Sequence, residues 1–272
     1  MRTSPLSAIA VAALLVFAGC TGLPGADENS SPDASPDVSP DEFPNASAID
    51  QSVFDRHATE MTNTSFTLST EKNRTDRVLH PSEKDVRHMN DTSRFLAEPS
   101  SSQYLGHTTG YFSGNGSTYS NGSAESVLFE DDRTTVRKLS PASVFNESSD
   151  RYLWRGLFSN DSMRQLDHAA IDATYQREGV ETFRDVPVMR YEATGVDALS
   201  DSWAGGENAS STYEEFSATL LLDEDGVIRH YEYEFVWAES TTRRITQSYT
   251  LSDVGSTDVE KPDWAVDATA GS

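Results

Sequence analysis

The sequence predicts an α+β domain in which a curved antiparallel sheet, a half-barrel, packs over a few short helices. Three observations point there. Apolar and polar residues alternate with a period of two through the C-terminal part of the chain. Between residues 65 and 139, short strand-like runs are separated by Gly, Asn and Ser turns. Only two stretches carry the spacing of an amphipathic helix.

The first of those stretches is 47–61. Ser47 is placed to cap it, with Asp50 three residues on, and Ile49, Val53, Phe54, His57 and Met61 fall on one stripe. A lone histidine on an apolar stripe reads as a packed, hydrogen-bonded side chain. Residues 65–68, 94–97, 104–111, 126–129 and 134–139 are the next strand candidates. Residues 110–122 hold four glycines and two N-x-[ST] sequons and read as a hairpin turn. They contain no G-K-[ST] or G-x-G-x-x-G, so they do not form a phosphate loop.

The second helical stretch is 148–170. Leu153, Trp154, Leu157 and Phe158 form an apolar face, and Asn160-Asp161 can cap a short second helix holding Met163 and Leu166. Residues 186–194 read as extended and 200–211 as a Gly/Ser-rich loop. Phe216, Ala218, Leu220 and Leu222 then alternate along a strand, and Asp223-Glu224-Asp225-Gly226 turns the chain. Tyr231, Tyr233, Phe235 and Trp237 share one face of the returning strand, with His230, Glu232 and Glu234 on the other; residues 243–251 supply a third strand. The acidic turn lacks the D-x-[DN]-x-[DN]-G register and the later glutamate of a calcium loop.

The start of the chain carries a different message. Arg2 is followed by an apolar run over residues 6–17, then by Ala18, Gly19 and Cys20. This is the layout of a signal peptide over residues 1–19, too short to span a bilayer. Phe17-Ala18-Gly19-Cys20 resembles the lipobox of lipoproteins, with Phe17 where leucine is usual, which implies lipid attachment at Cys20. Cys20 is the one cysteine, so no internal disulfide forms and a Cys-based structural zinc site is excluded. Residues 20–46 contain Ser-Pro-Asp three times (31–33, 35–37 and 39–41). Dense proline and mutually repelling aspartates predict a disordered stalk, spanning up to roughly 75 Å at about 3.1 Å per residue. The single domain is expected over 47–265, with a flexible tail at 266–272.

Composition narrows the partners. Forty-four acidic residues oppose 21 basic ones, a net charge of −23, and only Lys72, Lys84, Lys138 and Lys261 are lysine. Such a surface repels nucleic acid and anionic headgroups. Dispersed acid with little lysine is the composition of proteins that work in molar salt, where the Debye length is about 3 Å. All ten asparagines lie in sequons: Asn29, Asn45, Asn63, Asn73, Asn90, Asn115, Asn121, Asn146, Asn160 and Asn208. With chance matches at about one in four, that pattern points to an N-glycosylated extracytoplasmic surface.

Several pieces together resemble a group of haloarchaeal surface lipoproteins of undefined role. They are the lipobox, the acidic stalk, the His57 helix leading into Asn63-Thr64-Ser65-Phe66-Thr67, the hairpin from Leu220 to Ile228, and the close from Leu251-Ser252-Asp253-Val254-Gly255 to Pro262-Asp263-Trp264. More distantly, the order of elements looks like the half-barrel of LolA-type and LppX-type lipid carriers. That likeness implies an apolar cavity between sheet and helices.

Three functions are compatible with these readings. The first is a tethered binding module that holds a lipid or other apolar molecule. Its cavity would be lined by Tyr231, Tyr233, Phe235 and Trp237 on the sheet and by Leu153, Trp154, Leu157 and Phe158 on the lid. The second is a structural or interaction protein of the cell envelope, its core filled by those same residues. The third, a hydrolase, finds little support. The histidines (His57, His80, His88, His107, His168, His230) show no metal spacing and no G-x-S-x-G elbow occurs. His80 and His88, eight apart with acids between, are read as solvent-facing. No catalytic residue, cofactor or metal is assigned, and the expected location is the outer side of the cell membrane.

Overall fold

The computed structural model describes residues 38–43, 49, 51–61, 64–77, 86–111, 114–138, 173–199, 212–237 and 243–265. All of them belong to one compact unit. The chain enters through a short 3-10 turn, Pro40–Glu42, capped where Asp41 N–H donates to Ser39 Oγ over 3.3 Å. Phe43 follows and is 2% exposed in the core. The packed part of the chain therefore begins ahead of residue 47, the boundary expected from sequence. Helix α1 (Gln51–Met61) comes next and buries Val53, His57 and Met61 along one stripe, with Ile49 just before it.

Eleven strands then form one fully antiparallel sheet. The first six are β1 (Phe66–Arg77), β2 (Val86–Glu98), β3 (Gln103–Gly110), β4 (Gly116–Asn121), β5 (Ala124–Phe129) and β6 (Thr134–Lys138). The rest are β7 (Gln176–Phe183), β8 (Val186–Thr194), β9 (Tyr213–Leu222), β10 (Ile228–Trp237) and β11 (Arg243–Ser252). The spatial order is β6-β5-β4-β3-β2-β1-β11-β10-β9-β8-β7. Two meanders thus meet where β11 pairs with β1, and among the described residues β6 and β7 are the outermost strands. This open sheet with few helices is the half-barrel expected.

Three sequence expectations need correction. Residues 110–122 are not a single hairpin turn, because β4 lies within them. Its Ser, Thr and Tyr alternation is masked by the glycines on either side. Strand β7, QREGVETF, was not anticipated, since an edge strand rich in charge and kinked by a bulge at Arg177/Gly179 has no alternation to read. Strands β1 and β2 run far beyond 65–68 and 94–97, because their outer halves are polar on both faces.

Partners opposite one another in an antiparallel pair share a face, so the register assigns every side chain. One face carries the main core: Leu68, Phe95, Met189, Tyr191, Phe216, Leu220, Leu222 and Leu251 are all buried there with α1 residues and Phe43. Burial at about 25 cal/mol per Å² makes each large side chain worth roughly 2 kcal/mol. On the opposite face, the C-terminal segment lies across β2–β4 and makes a smaller core of Tyr119, Val259 and Ala265, flanked by Leu96, Leu105 and Trp264. Thr67 and Thr257 hydroxyls meet at 3.1 Å, and Val259 N–H donates to Glu98 Oε2 over 3.0 Å, pinning that segment down.

Candidate ligand-binding face

The main-core face, taken here as the inner face, is organised in rows that run across the strands. Where α1 docks, Ile228 N–H donates to His57 Nδ1 over 3.0 Å, and His57 Nε2 faces Tyr249 Oη at 3.4 Å. Nδ1 accepts, so the ring proton sits on Nε2. Burial, reinforced by the nearby Arg229 charge, pushes the His57 pKa down to about 3, and the imidazole is neutral. His57 is therefore the packed core histidine that its stripe predicted.

From there β10 lays down a continuous aromatic ladder. Ring centroids are 5.7 Å apart from Tyr231 to Tyr233, 5.3 Å from Tyr233 to Phe235 and 5.9 Å from Phe235 to Trp237. Phe216 stacks on Phe235 at 5.0 Å, and Tyr213 sits 5.1 Å from Phe235 and 5.3 Å from Trp237. These edge-to-face and tilted pairs add stabilisation beyond area burial. The four sheet residues expected from sequence thus stand together on one face. Tyr231, Tyr233 and Phe235 are 7%, 8% and 3% exposed, while Trp237 is half-buried. The expected lid residues Leu153, Trp154, Leu157 and Phe158 lie outside the described residues.

The hydroxyls of the ladder are satisfied internally. Tyr233 Oη donates to Gln247 Oε1 over 2.8 Å, and Tyr175 and Tyr231 hydroxyls meet at 3.3 Å. Burial drives the Tyr175 pKa up to about 12 and those of Tyr231 and Tyr233 upward too, so all three hydroxyls are neutral.

Beyond β10 each row changes character. Tyr233 is followed by Gln247, Lys72 and Asp91; Phe235 by Ile245, Arg74 and Met89. At the outermost level Arg243 is opposite Asp76, which is opposite Arg87. Arg74 Nη2 and Arg243 Nε reach the two Asp76 oxygens at 2.6 and 2.9 Å. Burial alone would raise the Asp76 pKa, but the two guanidiniums outweigh it and hold the carboxyl below its usual range. Arg243 also lies over Trp237, 5.7 Å from the ring centroid. Lys72 is half-buried; burial lowers its pKa, with Arg74 adding to the effect and Asp91 opposing it. No alternation along the chain marks this polar field. Lys72, Arg74 and Asp76 share a parity in the polar outer half of β1, and only the register shows which way they face.

The remaining candidates are dispersed. Asn73 and Asn90 lie directly opposite each other on the outer face, with Asn90 Nδ2 donating to Asn73 Oδ1 over 2.6 Å. Asn115 is exposed in a turn. Asn121 folds its amide oxygen into the β4–β5 turn, accepting from Ser123 N–H and Ala124 N–H at 3.0 and 2.9 Å. Asn29, Asn45, Asn63, Asn146, Asn160, Asn208 and Cys20 lie outside the described residues. His88 is exposed, as expected, with Nδ1 at 3.2 Å from Thr75 Oγ1, while His80 and His168 are outside the described residues. Among the described residues no group of three His, Cys, Asp or Glu is placed to hold a metal, and no helix is long and apolar enough to cross a membrane.

No curated protein matches the chain in sequence. Among the solved structures with which the chain shares similarity are three lipoproteins or lipoprotein-sorting domains. The lipoprotein LppX of Mycobacterium tuberculosis is 11% identical over 75% of this chain and 93% of that chain, with a TM-score of 0.32. LprF from Mycobacterium bovis is 9% identical over 79% and 97%, with a TM-score of 0.37. A putative outer membrane lipoprotein-sorting protein domain from Vibrio parahaemolyticus is 10% identical over 79% and 93%, with a TM-score of 0.22. At TM-scores this low the overlap supports no functional statement. A family model described as a family of unknown function (DUF7537) matches residues 155–268, a stretch that includes the aromatic ladder of β10.

Proposed function

We propose that this chain is an extracytoplasmic lipoprotein whose half-barrel holds a lipid or other apolar molecule against the inner face of the sheet. Residues 1–19 serve as signal peptide, Cys20 takes the lipid anchor, and the proline-rich stretch after it spaces the domain from the outer side of the cell membrane. The N-x-[ST] asparagines are candidate glycan sites, and no catalytic step is assigned. The observation that carries the reading is the aromatic ladder Tyr231–Tyr233–Phe235–Trp237, which runs along the inner face from the His57 end to a half-buried tryptophan. A rigid, apolar, internally satisfied wall of this kind suits non-directional capture of hydrocarbon.

A second reading is favoured by the burial of Tyr231, Tyr233 and Phe235, which are already covered. In that case the core is filled and the protein has a structural or interaction role in the cell envelope. Native mass spectrometry of the full chain carrying Cys20→Ser, purified in high salt without detergent, separates the two. A co-purifying apolar molecule of defined mass supports capture. A clean protein mass, with no binding of an apolar fluorescent dye, sinks it in favour of the filled core.

A further inference from the structure

Four N-x-[ST] sequons lie within the described residues, at Asn73, Asn90, Asn115 and Asn121, and their surroundings differ. Asn73-Arg74-Thr75 sits in β1, paired with β11 and β2 along all three residues. Asn90-Asp91-Thr92 sits in β2, paired with β1 throughout and with β3 from Asp91 on, while the Asn90 carbonyl accepts from Tyr111 N–H over 3.2 Å. Their side-chain amides are engaged as well. A carboxylate only accepts, so it is Asn73 Nδ2 that donates to Glu71 Oε1 over 2.8 Å, and the Asn73 oxygen then takes Asn90 Nδ2 at 2.6 Å. Thr75 Oγ1 meets His88 Nδ1 at 3.2 Å. In Asn115-Gly116-Ser117 the Asn115 oxygen accepts from Gly110 N–H over 3.3 Å, but Ser117 is paired within β4 and its hydroxyl lies 2.9 Å from His107 Nδ1.

Asn121-Gly122-Ser123 is built differently. It turns β4 into β5, and of its three residues Asn121 alone has a strand partner, Gln103. The Asn121 oxygen accepts from Ser123 N–H at 3.0 Å, from Ala124 N–H at 2.9 Å and from the Ser123 hydroxyl at 2.9 Å. Backbone N–H groups only donate, so the turn holds the amide oxygen and leaves Nδ2 without a partner among the described residues. Three donors on one amide oxygen polarise the group. In no other described sequon does the hydroxyl reach its own asparagine. Gly122, at φ +82°, supplies the left-handed residue of the turn. Asn121 lies two residues beyond Tyr119 and so shares the outer face, opposite the aromatic ladder.

We infer that Asn121 is the preferred glycan acceptor among the described sequons, and that Asn73 and Asn90 stay bare in the folded chain. This rests on the glycan reading above and names its site. In the transfer, Asn121 Nδ2 attacks the anomeric carbon of a sugar carried on a lipid phosphate. The N–C bond forms as the C–O bond to phosphate breaks. The phosphate leaves with the electron pair, and the proton lost from Nδ2 passes to a base of the transferring enzyme. A sequon inside a paired strand can react only in the small fraction of molecules that open locally, whereas the turn presents its sequon in the folded state.

Site occupancy is read by mass spectrometry of glycopeptides from the full chain purified from its native cells. The glycosylated fraction at Asn121 should be the highest of the four and at least about ten-fold that at Asn73 and Asn90. Gly122→Ala keeps the N-x-[ST] sequence but disfavours the left-handed residue, and should cut occupancy at Asn121 several-fold. Gly122→Asn adds the same Cβ yet tolerates positive φ better, so it should cut occupancy less. Comparable occupancy at Asn73 or Asn90, or a bare Asn121 in a chain glycosylated elsewhere, overturns the assignment and leaves the glycan reading standing. So does occupancy indifferent to Gly122→Ala in a variant that melts as the parent does; where that variant fails to fold, the parent's occupancies decide. A chain bare at all ten asparagines overturns both.

Discussion

Ile228 and His57, far apart in sequence, are joined by a buried hydrogen bond of 3.0 Å from the Ile228 N–H to Nδ1. The bond fastens α1 to the start of β10 and leaves Nε2–H directed at Tyr249. A proton added at Nδ1 removes the acceptor and places a charge near Arg229. The folded pKa of about 3 lies below the ordinary 6.5, so the unfolded chain binds the proton first. His57 thus contributes stability that is complete above pH 6.5 and is lost as pH falls toward 3. The slope over that window is about 1.4 kcal/mol per pH unit. Denaturant melts at pH 7, 6 and 5 should show it, and His57→Gln, less stable at pH 7, should flatten it. An unchanged slope in the variant would assign the acid sensitivity elsewhere.

Tyr233 and Gln247 form a closed pair in the middle of the inner face. Tyr233→Phe strands the Gln247 oxygen in a buried site, at a cost of about 1–3 kcal/mol. Removing both polar groups, Tyr233→Phe with Gln247→Leu, should cost clearly less than the sum of the single changes. Additive penalties in a double-mutant cycle would show that the pair is not coupled.

Gly106 is where β3 makes room for the Phe95 ring, because a Cβ there would collide with it. Gly106→Ala should destabilise by about 1–3 kcal/mol through overpacking. The penalty should shrink in a Phe95→Leu background, where the ring is gone. An Ala variant that melts with the parent would mean that the ring moves aside freely.

Cys20→Ser tests the anchor. The thiol is the only group the lipobox reading uses, so its loss should send the full chain into the medium, at a mass without acyl groups. Retention of the variant in washed membranes would disprove attachment through Cys20.

How much could be read in advance depended on how each segment is solvated. Strands β9 and β10 were legible, down to the face shared by Tyr231, Tyr233, Phe235 and Trp237, because one side is apolar and the other polar. The stripe Ile49, Val53, His57 and Met61 was legible for the same reason, with a period of 3.6. Lys72, Arg74 and Asp76 were not, since a charged side chain turned inward leaves no alternation to detect. The ladder of β10 could be named as one wall of a site, but its polar neighbours come from strands distant in sequence and emerge only with the β1–β11 register.

Asp223 shows the same limit at the acidic turn. Its carboxylate accepts from Val227 N–H over 2.7 Å and from Arg229 Nε over 2.6 Å, while the turn closes through Gly226 N–H to the Asp223 carbonyl at 3.1 Å. Gly226, at φ +85°, supplies the left-handed conformation the turn requires. Burial raises the Asp223 pKa against the pull of those two donors. Arg229→Met leaves the carboxylate buried without its countercharge and should cost about 3–5 kcal/mol near neutral pH. Asp223 then titrates higher still in the folded state. A folded pKa above the unfolded value means that the folded chain binds the proton first, so the variant recovers stability relative to the parent as pH falls toward 4. Asp223→Asn keeps an acceptor for Val227 N–H and leaves the unpaired charge on Arg229, whose side chain is 15% exposed against 2% for Asp223, so it should be the milder change at pH 7. A penalty for Arg229→Met that is small, or the same at pH 7 and pH 5, would show that Arg229 does not neutralise a buried charge.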